Sequence, residues 1–257
     1  MRQIVVLNLW QFSLVYLLLL VVLAIMKKSK IEQTKLLIVA SLRMTVQLVL
    51  AGLLLTFIFE NPHPLFTVLY LCAMTGFAIH RALSKNKGLN SRFKLAISLS
   101  LACSGILIVV FFVCAIVGES LFNPQYTIPL SGMIMGNAMT GVNLGLKAFT
   151  ENLQAQRGKI DTLLNLGAAP KKILLPFVNS ALETALLPTM NSMVGMGIVS
   201  LPGMMTGQIL SGTLPTTAIL YQIAIMIAIC TVVCVSVFAS LYFGYRTLYN
   251  KKNQFEF

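Results

Sequence analysis

Residues that carry acid–base and metal chemistry are scarce in this sequence. Of its 257 residues, seven are Asp or Glu and two are His, beside 19 Lys and Arg. No Ser-His-Asp or Cys-His set, no H-E-x-x-H and no pair of acids on one apolar helix can be assembled from them. This shortage argues against an enzyme that works by general acid–base catalysis.

A nucleotide-binding loop is missing as well. The pattern G-x-x-x-x-G-K-[ST] occurs nowhere, and the nearest glycine pair, Gly136 and Gly141, is followed by valine within an apolar run. Without that loop the chain has no cradle for the phosphates of ATP. We therefore expect that the chain binds no cofactor and does not itself hydrolyse ATP.

Metal ligands are too few to define a site, so the sequence leaves a metal site unknown. The five cysteines lie in apolar runs, and their odd number predicts no disulfide framework. The two histidines, His63 and His80, lie at different edges of the apolar runs. Methionine thioethers would suit a soft ion such as Cu(I), but packing between helices is the favoured interpretation. The methionines near the glycine-rich runs are Met133, Met135, Met139, Met190, Met193, Met196, Met204 and Met205.

Long apolar runs dominate what is present. The chain is 57% hydrophobic and 10% charged, with a mean hydropathy of +0.86. Several runs reach the roughly 20 residues that cross a bilayer. The sequence predicts an all-α polytopic membrane protein, a single transmembrane domain over residues 1–257 with about seven membrane helices. The predicted membrane helices are 4–26, 36–59, 65–82, 95–117, 128–149, 191–212 and 218–245, with 150–190 as a cytoplasmic or interfacial coupling region.

Basic residues are distributed unevenly between the two sides. Seventeen of the 19 Lys and Arg fall in alternate connections and the C-terminal tail, whereas the connections at Glu60–Pro64 and Gly118–Tyr126 carry none. By the positive-inside rule the N-terminus is outside and the C-terminus is in the cytoplasm of a plasma (inner) membrane. The net charge of +12 is then a topology signal, helped by anionic lipid, and it indicates no nucleic-acid partner.

The apolar segment 173–190 is ambiguous because Pro176 and Pro188 interrupt it. Phe149 and Arg246 are both predicted to be cytoplasmic, so an even number of crossings must lie between them. Since 191–212 and 218–245 already supply two, 173–190 is predicted to lie along the cytoplasmic interface. A re-entrant segment would satisfy the same charges.

A helix break is predicted at Leu201-Pro202-Gly203. Proline cannot donate to the helix ladder and glycine loses the most backbone entropy. Beyond the break Gly203, Gly207 and Ser211 recur at every fourth residue, a spacing that lets membrane helices approach closely. A transporter pathway and a kinked packing helix are equal interpretations of this stretch.

The stretch 150–172 is the one sizeable polar element, and it predicts a short amphipathic helix that Gly167 ends as a C-cap. The residues on its apolar face are Leu153, Ile160, Leu163, Leu164 and Leu166. Asp161 lies six residues before Gly167, and Gly-Ala-x-Pro follows the helix end. ATP-driven transporters typically present to their ATPase subunit a segment that contains an acid, a helix end and that motif, in this order.

Several motifs are shared with one transporter family. They are RMTVQLVLAG, with Arg43, Gln47-Leu48 and Gly52, PLSGMIMGNAM at 129–139, LGAAP at 166–170, VSLPGMMTGQILSG at 199–212, and Tyr221-Gln222-Ile223. In these stretches the chain resembles the FetB-type permease family of ABC transporters, known for bacterial iron export and for plant aluminium-tolerance relatives. The resemblance runs from about residue 36 to the C-terminus, and LPGMMTGQI is its most specific part.

The resemblance implies a homodimeric permease subunit that exports a metal ion or small solute. A separate cytoplasmic ABC ATPase would supply ATP and magnesium. It assigns the docking of that ATPase to Asp161, Leu166, Gly167, Ala168 and Pro170. The chain departs from the family pattern in three places. Leu220 replaces a basic residue, an acid near Asn191 is missing, and so is a basic residue near Glu183.

Polar residues in the apolar runs are candidates for the transport pathway. Arg43 lies inside the second run, where a charge costs roughly 2.5–3.5 kcal/mol at the helix centre, and Gln47 shares its face. Snorkelling of Arg43 to the interface is the alternative, and packing is favoured for Asn137. The full set of candidates is Arg43, Gln47, Asn137, Met196, Pro202, Gly203, Met204 and Gln208.

Two other functions stay open. The first is an ion-coupled secondary transporter or channel without an ATPase, for which matching inverted halves are expected but only one interrupted helix is found. The second is a structural or sensory subunit without a pathway, in which Arg43 serves stability alone.

Overall fold

The computed structural model describes residues 8–86 and 88–249. Across these two ranges the chain is helical with short connections and has no strand, only an isolated bridge between Met196 and Ser200. The predicted all-α class is therefore confirmed. The helices are α1 Leu9–Lys28, α2 Thr34–Glu60, α3 Pro64–Lys85, α4 Ser91–Phe111 with a π-helical continuation Phe112–Val117, α5 Pro124–Ala155, α6 Arg157–Asn165, α7 Pro170–Gly195, α8 Gly203–Leu210 and α9 Pro215–Tyr245.

Local sequence signals explain where these helices begin. Asn90 and Asn123 precede α4 and α5, and their side-chain oxygens accept the backbone N–H of Phe93 and Gln125 at 2.7 and 3.2 Å. Proline fits at the first helical position because an N–H at that position would have no acceptor within the helix, so its absence costs no hydrogen bond. This device opens four helices, at Pro64, Pro124, Pro170 and Pro215.

Within residues 8–86 and 88–249, six helical stretches are long and apolar enough to cross a membrane. They are Trp10–Lys28, Thr34–Glu60, Pro64–Lys85, Ser91–Val117, Pro170–Gly195 and Pro215–Tyr245. The 32-residue α5 is the other long helix, and its glycines, asparagines and threonines lower its hydropathy. Much of α5 is nevertheless buried, because it is in contact with α3, α4, α7 and α9.

Two compact units make up the chain. The described residues up to Asn61, together with Leu210–Gly212, form the first unit. In it α1 contacts α2, and the hydroxyls of Tyr16 and Thr45 are hydrogen-bonded at 2.6 Å. The second unit contains the remaining long helices and nearly all of the buried core.

Within the second unit α5 is the central helix, in contact with α3, α4, α7 and α9. Two of its glycines let α9 approach closely. A Cβ at Gly141 would lie 2.6 Å from a methyl of Val233, and one at Gly145 would lie 2.7 Å from a methyl of Val237. The glycine-rich sequence of α5 thus serves helix packing, the small-residue device of membrane bundles.

The prediction of one membrane helix over 191–212 is wrong. No single helix covers 191–212, because α7 ends at Gly195 and α8 begins only at Gly203. Met196 is already extended, with φ −71° and ψ 134°, and Gly197 follows in the left-handed region with φ +83°. The break spans Met196–Pro202, so it includes the predicted Leu201 and Pro202 and begins five residues earlier.

The apolar segment 173–190 forms the body of α7, one continuous helix that passes through Pro176 and Pro188 and has the length and composition of a membrane span. The predicted interruption at these two prolines is therefore wrong. Proline is tolerated inside membrane helices because neighbouring helices and hydroxyl side chains satisfy the freed backbone groups. The position of this segment along the cytoplasmic interface stays a prediction, and a crossing by α7 in place of 191–212 would leave the number of crossings unchanged.

Candidate functional site

A polar cleft lies where α5, α7, α9 and the segment 196–202 meet. Its volume is about 350 Å³. The residues that give it polar and sulfur-containing walls are Asn137, Thr140, Thr189, Ser192, Met196 and Ser200, with Pro202 at one edge. Three of the residues predicted for a pathway, Asn137, Met196 and Pro202, thus lie in one cleft.

A second cleft, of about 320 Å³, lies where α5 ends, α6 runs and α7 begins. The end of the second unit that carries this second cleft is called the α6 end, and the end that carries the first cleft is called the α8 end. Lys159 of α6 and Lys172 of α7 line this cleft together with Gln156. Pro176 and Ser180 continue its wall along α7.

Residues at every fourth position extend from one cleft to the other along α7 and into the segment that follows it. Such a row winds around the helix by about 40° at each step. The members are Pro176, Ser180, Thr184, Pro188, Ser192 and Met196. The first two line the cleft at the α6 end and the last three line the cleft at the α8 end. From Ser180 to Pro188 the gap is about 12 Å, bridged by Thr184.

Hydroxyl and amide groups of this region donate to their own helices. Thr184 donates to the Ser180 carbonyl and Ser192 to the Pro188 carbonyl, each at 2.9 Å. On α5, Asn137 donates to the Met133 carbonyl at 2.8 Å and Thr140 to the Gly136 carbonyl at 2.9 Å. Their oxygen lone pairs are then turned to the surroundings, which makes the row a weakly polar lining and not a strong binding site.

Glu183 belongs to the segment that was predicted to lie at the interface. It is in the middle of α7, next to Thr184 of the row, and its side chain is exposed. Its place at the interface stays a prediction.

The other predicted pathway residues do not line the cleft at the α8 end. Gly203, Met204 and Gln208 belong to α8, and Met204 packs against the core of the second unit. Among the described residues no heavy atom lies within 4 Å of a Cβ built at Gly203 or Gly207. Close helix packing through these glycines, one of the two interpretations of this stretch, therefore does not occur within the described chain.

Arg43 and Gln47 belong to the first unit. Both lie on α2, four residues apart on one helix face, and both side chains are exposed. Arg43 is the tenth of the 27 residues of α2, well inside a helix that is long enough to cross a membrane. Their shared face agrees with the sequence prediction, and a pathway role for them stays a prediction.

The turn between α6 and α7 is closed by the hydrogen bonds of a Schellman motif. Gly167 has φ +80°, and its N–H donates to the Leu164 carbonyl at 2.9 Å, while the Ala168 N–H donates to the Leu163 carbonyl at 3.0 Å. The predicted C-cap is therefore confirmed. Pro170 follows as the first residue of α7 and is buried.

Leu166 stands out from this turn with 78% of its surface exposed. The predicted amphipathic helix is only partly correct. Leu153 belongs to the end of α5, which extends to Ala155. In the nine-residue α6, Ile160 is buried, and Leu163 and Leu164 pack against the core. Leu166 follows the helix and points away from that face. Asp161 is exposed on α6. The α6 end thus presents one apolar side chain on a fixed turn.

No group of three or more His, Cys, Asp or Glu that could hold a metal ion occurs within residues 8–86 and 88–249. A metal site made by one copy of the described chain alone therefore finds no support in its side chains.

Comparison with known proteins gives the family. The sequence profile described as an uncharacterised protein family, UPF0014, matches residues 9–249. The UPF0014 membrane protein YjkA of Bacillus subtilis (strain 168) is 31% identical over 254 residues, which cover 94% of this chain and 98% of that protein. No solved structure matches the chain.

Two further relatives carry functional names. The probable iron export permease protein FetB of Escherichia coli (strain K12) is 31% identical over 249 residues, covering 96% of this chain and 95% of the relative. The protein ALUMINUM SENSITIVE 3 of Arabidopsis thaliana is 31% identical over 214 residues, covering 83% and 77%. The chain belongs to the UPF0014 family, and it is a multi-pass protein of the plasma membrane.

Proposed function

We propose that this chain is the membrane subunit of an ABC-type exporter that moves a metal cation such as iron and is driven by a separate cytoplasmic ATPase. The observation that carries the proposal is the similarity to a protein named as a probable iron export permease, over 96% of this chain. The two clefts lie towards the two ends of α7, and each has polar side chains in its wall, as a route through a permease requires.

The α6 end is the cytoplasmic end in this proposal. Its basic side chains, Lys147, Arg157, Lys159, Lys171 and Lys172, come from the last turns of α5, from α6 and from the start of α7. An excess of Lys and Arg marks cytoplasmic connections. With α7 and α9 as the last two crossings, seven helices cross, the N-terminus is outside and the C-terminus is cytoplasmic.

The ATPase docks on the turn between α6 and α7. Leu166 provides an apolar side chain whose removal from water by a partner surface is favourable, and Asp161 provides a negative charge on α6. The Schellman hydrogen bonds at Gly167 and Ala168 fix the turn, and Pro170 passes its movement to α7. Since the row belongs to α7, a push on the turn acts directly on the route.

The permease works as a homodimer in this proposal. Both copies insert with the same orientation, so their symmetry axis runs along the membrane normal. Their α5 and α7 faces, which carry the exposed polar side chains Asn137 and Thr140 on one helix and Thr184 on the other, then enclose the route between them. Polar side chains inside a membrane protein face such interiors by preference.

Replacing Gly167 with Arg tests the docking turn. The change forces a side chain into a left-handed conformation at the turn that meets the ATPase, so we expect the ATPase to be lost from the purified complex and transport to stop. Affinity purification of the tagged permease from its own cells in mild detergent, with mass spectrometry of the bound proteins, measures this.

Gly158→Arg is the matched control for this experiment. Gly158 is exposed in the same short helix, does not have a positive φ, and has no heavy atom within 4 Å of a built Cβ among the described residues. We expect it to insert in the membrane as Gly167→Arg does and to retain the ATPase. Equal ATPase recovery and transport in the two variants would remove the docking role from this turn.

A further inference from the structure

A long apolar groove lies between α4 and α9, and it shares no lining residue with the two clefts of the candidate site. Its volume is about 570 Å³. Its walls come from residues 92–108 of α4 and residues 235–243 of α9. Both helices belong to the second unit, and both are part of stretches long and apolar enough to cross a membrane. The groove therefore lies on a surface at membrane depth.

Small side chains between large ones make this groove. Ala96 and Ser100 of α4 and Ala239 of α9 line it and are half-buried, so they form its floor. Larger apolar side chains stand beside them, with Leu99 55% exposed and Phe243 54% exposed. A groove with these walls fits a long, flexible apolar ligand.

The length of the groove matches one leaflet of a bilayer. Along α9 it extends over eight helical steps, from residue 235 to residue 243, which is about 12 Å. The hydrocarbon core of a membrane is about 30 Å thick, so one leaflet is about 15 Å deep. One acyl chain of a lipid would thus occupy the part of the groove that has two walls.

The two helices are fixed to each other at one end of the groove. The side-chain amide of Asn90 donates to the Thr247 carbonyl at 2.7 Å, and the Thr247 hydroxyl donates to the Asn90 side-chain oxygen at 3.1 Å. Gly244 lies against the ring of Phe93, where a Cβ would collide with ring atoms. These contacts place the beginning of α4, with Arg92, beside the end of α9.

Positive side chains mark this end. Arg92 lines the groove and is exposed. Arg246 is exposed directly after α9, with its guanidinium carbon 4.3 Å from the centre of the Tyr242 ring. Neither α4 nor α9 contains an Asp or a Glu. This end of an otherwise apolar groove therefore attracts an anion.

From this combination we infer that the groove is a binding site for an anionic phospholipid. The phosphate lies at Arg92, and one acyl chain lies along α4 and α9. Basic pockets between membrane helices on the cytoplasmic side bind acidic headgroups, and a guanidinium pairs with two phosphate oxygens at once. In the orientation that the basic connections predict, α4 begins in the cytoplasm, so the lipid comes from the cytoplasmic leaflet. The site needs no particular cargo and no ATPase.

Charge favours a lipid over a second copy of the chain as the occupant. Two copies in one membrane orientation would bring Arg92 and Arg246 of each to the same depth, where like charges repel. A phosphate would neutralise them instead. The homodimer of the proposed function uses the faces of α5 and α7, so it leaves this groove to lipid.

Photo-cross-linking of the full-length permease tests the site. The protein is reconstituted in phosphatidylcholine vesicles that contain a small share of phosphatidylglycerol with a diazirine in one acyl chain. After illumination, mass spectrometry of the peptides locates the attached lipid. The label should concentrate on residues 99–108 and 235–243, and it should exceed several-fold the label from phosphatidylcholine that carries the same diazirine.

Two variants separate the headgroup contact from the acyl-chain contact. Arg92→Gln should lower the phosphatidylglycerol label about fivefold, the effect of one basic residue near the membrane surface. Arg81→Gln is its matched control, because Arg81 is exposed near the end of α3 and does not line the groove. Ala239→Leu fills the floor and should lower the label from both lipids. Ala115→Leu, exposed outside the groove in the π-helical continuation of α4, should not.

Thermal unfolding in detergent gives a second measure. Added phosphatidylglycerol should raise the midpoint of the wild type and of Arg81→Gln by more than that of Arg92→Gln. Equal labelling by the two lipids in the wild type, or a label that is unchanged in Arg92→Gln, would overturn the inference.

Cys103 allows a test for the competing occupant, since it is exposed and lines the groove. In a variant that keeps Cys103 as its sole cysteine, a short bifunctional maleimide should not join two copies of the chain. Efficient joining would show that a second copy covers the groove and would overturn the lipid site. No ATPase or ATP enters these measurements, so their failure would leave the proposed exporter standing.

Discussion

At the scale of single residues, glycines decide how closely the central helix approaches its neighbours. The Cβ positions at Gly141 and Gly145 of α5 are occupied by methyl groups of Val233 and Val237, whereas no described heavy atom lies within 4 Å of the one at Gly136. The same residue type on the same helix therefore has two different roles. Gly145 permits close packing, and Gly136 leaves open space.

Replacing Gly145 with Ala should destabilise the bundle by about 1–3 kcal/mol, the usual range for overpacking. The new methyl group would lie 2.7 Å from Val237 and would force α5 and α9 apart. The midpoint of thermal unfolding in detergent, followed by the fluorescence of a thiol-reactive dye or by light scattering, should fall. Gly136→Ala is the control, and it should leave that midpoint unchanged or raise it, because alanine is the better helix former. The packing argument fails if the two variants behave alike.

At the scale of elements, the account depends on α7 and on the segment 196–202 that follows it. The sequence predicted most helices to within a few residues, since long apolar runs bounded by Pro, Asn and basic residues specify them. It failed at 173–212 because two prolines inside a membrane helix look like ends, while the turn at Gly197 gives little signal beside Pro202-Gly203. Whether a proline bends or ends a helix depends on neighbouring helices, which a sequence does not display.

The candidate site was predictable to a similar degree. Asn137, Met196 and Pro202 were singled out individually, and the structure brings them to one cleft. Gly167 was predictable as a helix cap because its signal is local. The place of Glu183 in the middle of one helix could not be predicted, because it depends on α7 passing through both prolines without a break.

Thiol labelling checks the position of the 196–202 segment. In a variant whose five native cysteines are replaced, Ser200→Cys should react with a membrane-impermeant maleimide in intact cells. The reason is that the segment 196–202 follows the end of α7 that is proposed to lie outside. Leu166→Cys, at the opposite end of α7, should react only after the membrane is permeabilised. A helix over 191–212, as the sequence predicted, would place residue 200 inside the membrane, so absence of labelling at Ser200→Cys would support that assignment against ours.

At the scale of the whole molecule, the two ends of the second unit differ in charge. Basic side chains and the turn bearing Leu166 lie at the end where we propose that an ATPase docks, and the segment 196–202 lies at the other end. The sequence has no phosphate-binding loop, and the proposed function assigns the energy for transport to a partner. The proposed exporter rests on this arrangement and on the similarity to a probable iron export permease.

ATP-dependent export of Fe²⁺ or Mn²⁺ is the most direct test of this account. The permease would be purified with the ATPase that accompanies it and reconstituted in proteoliposomes, and cation movement away from the ATPase side would be followed with a metal-sensitive dye. The account predicts movement that needs ATP and magnesium and that stops in Gly167→Arg while Gly158→Arg retains it. Equal movement without ATP, by a permease recovered alone, would contradict the account and would identify a carrier or channel that works by itself.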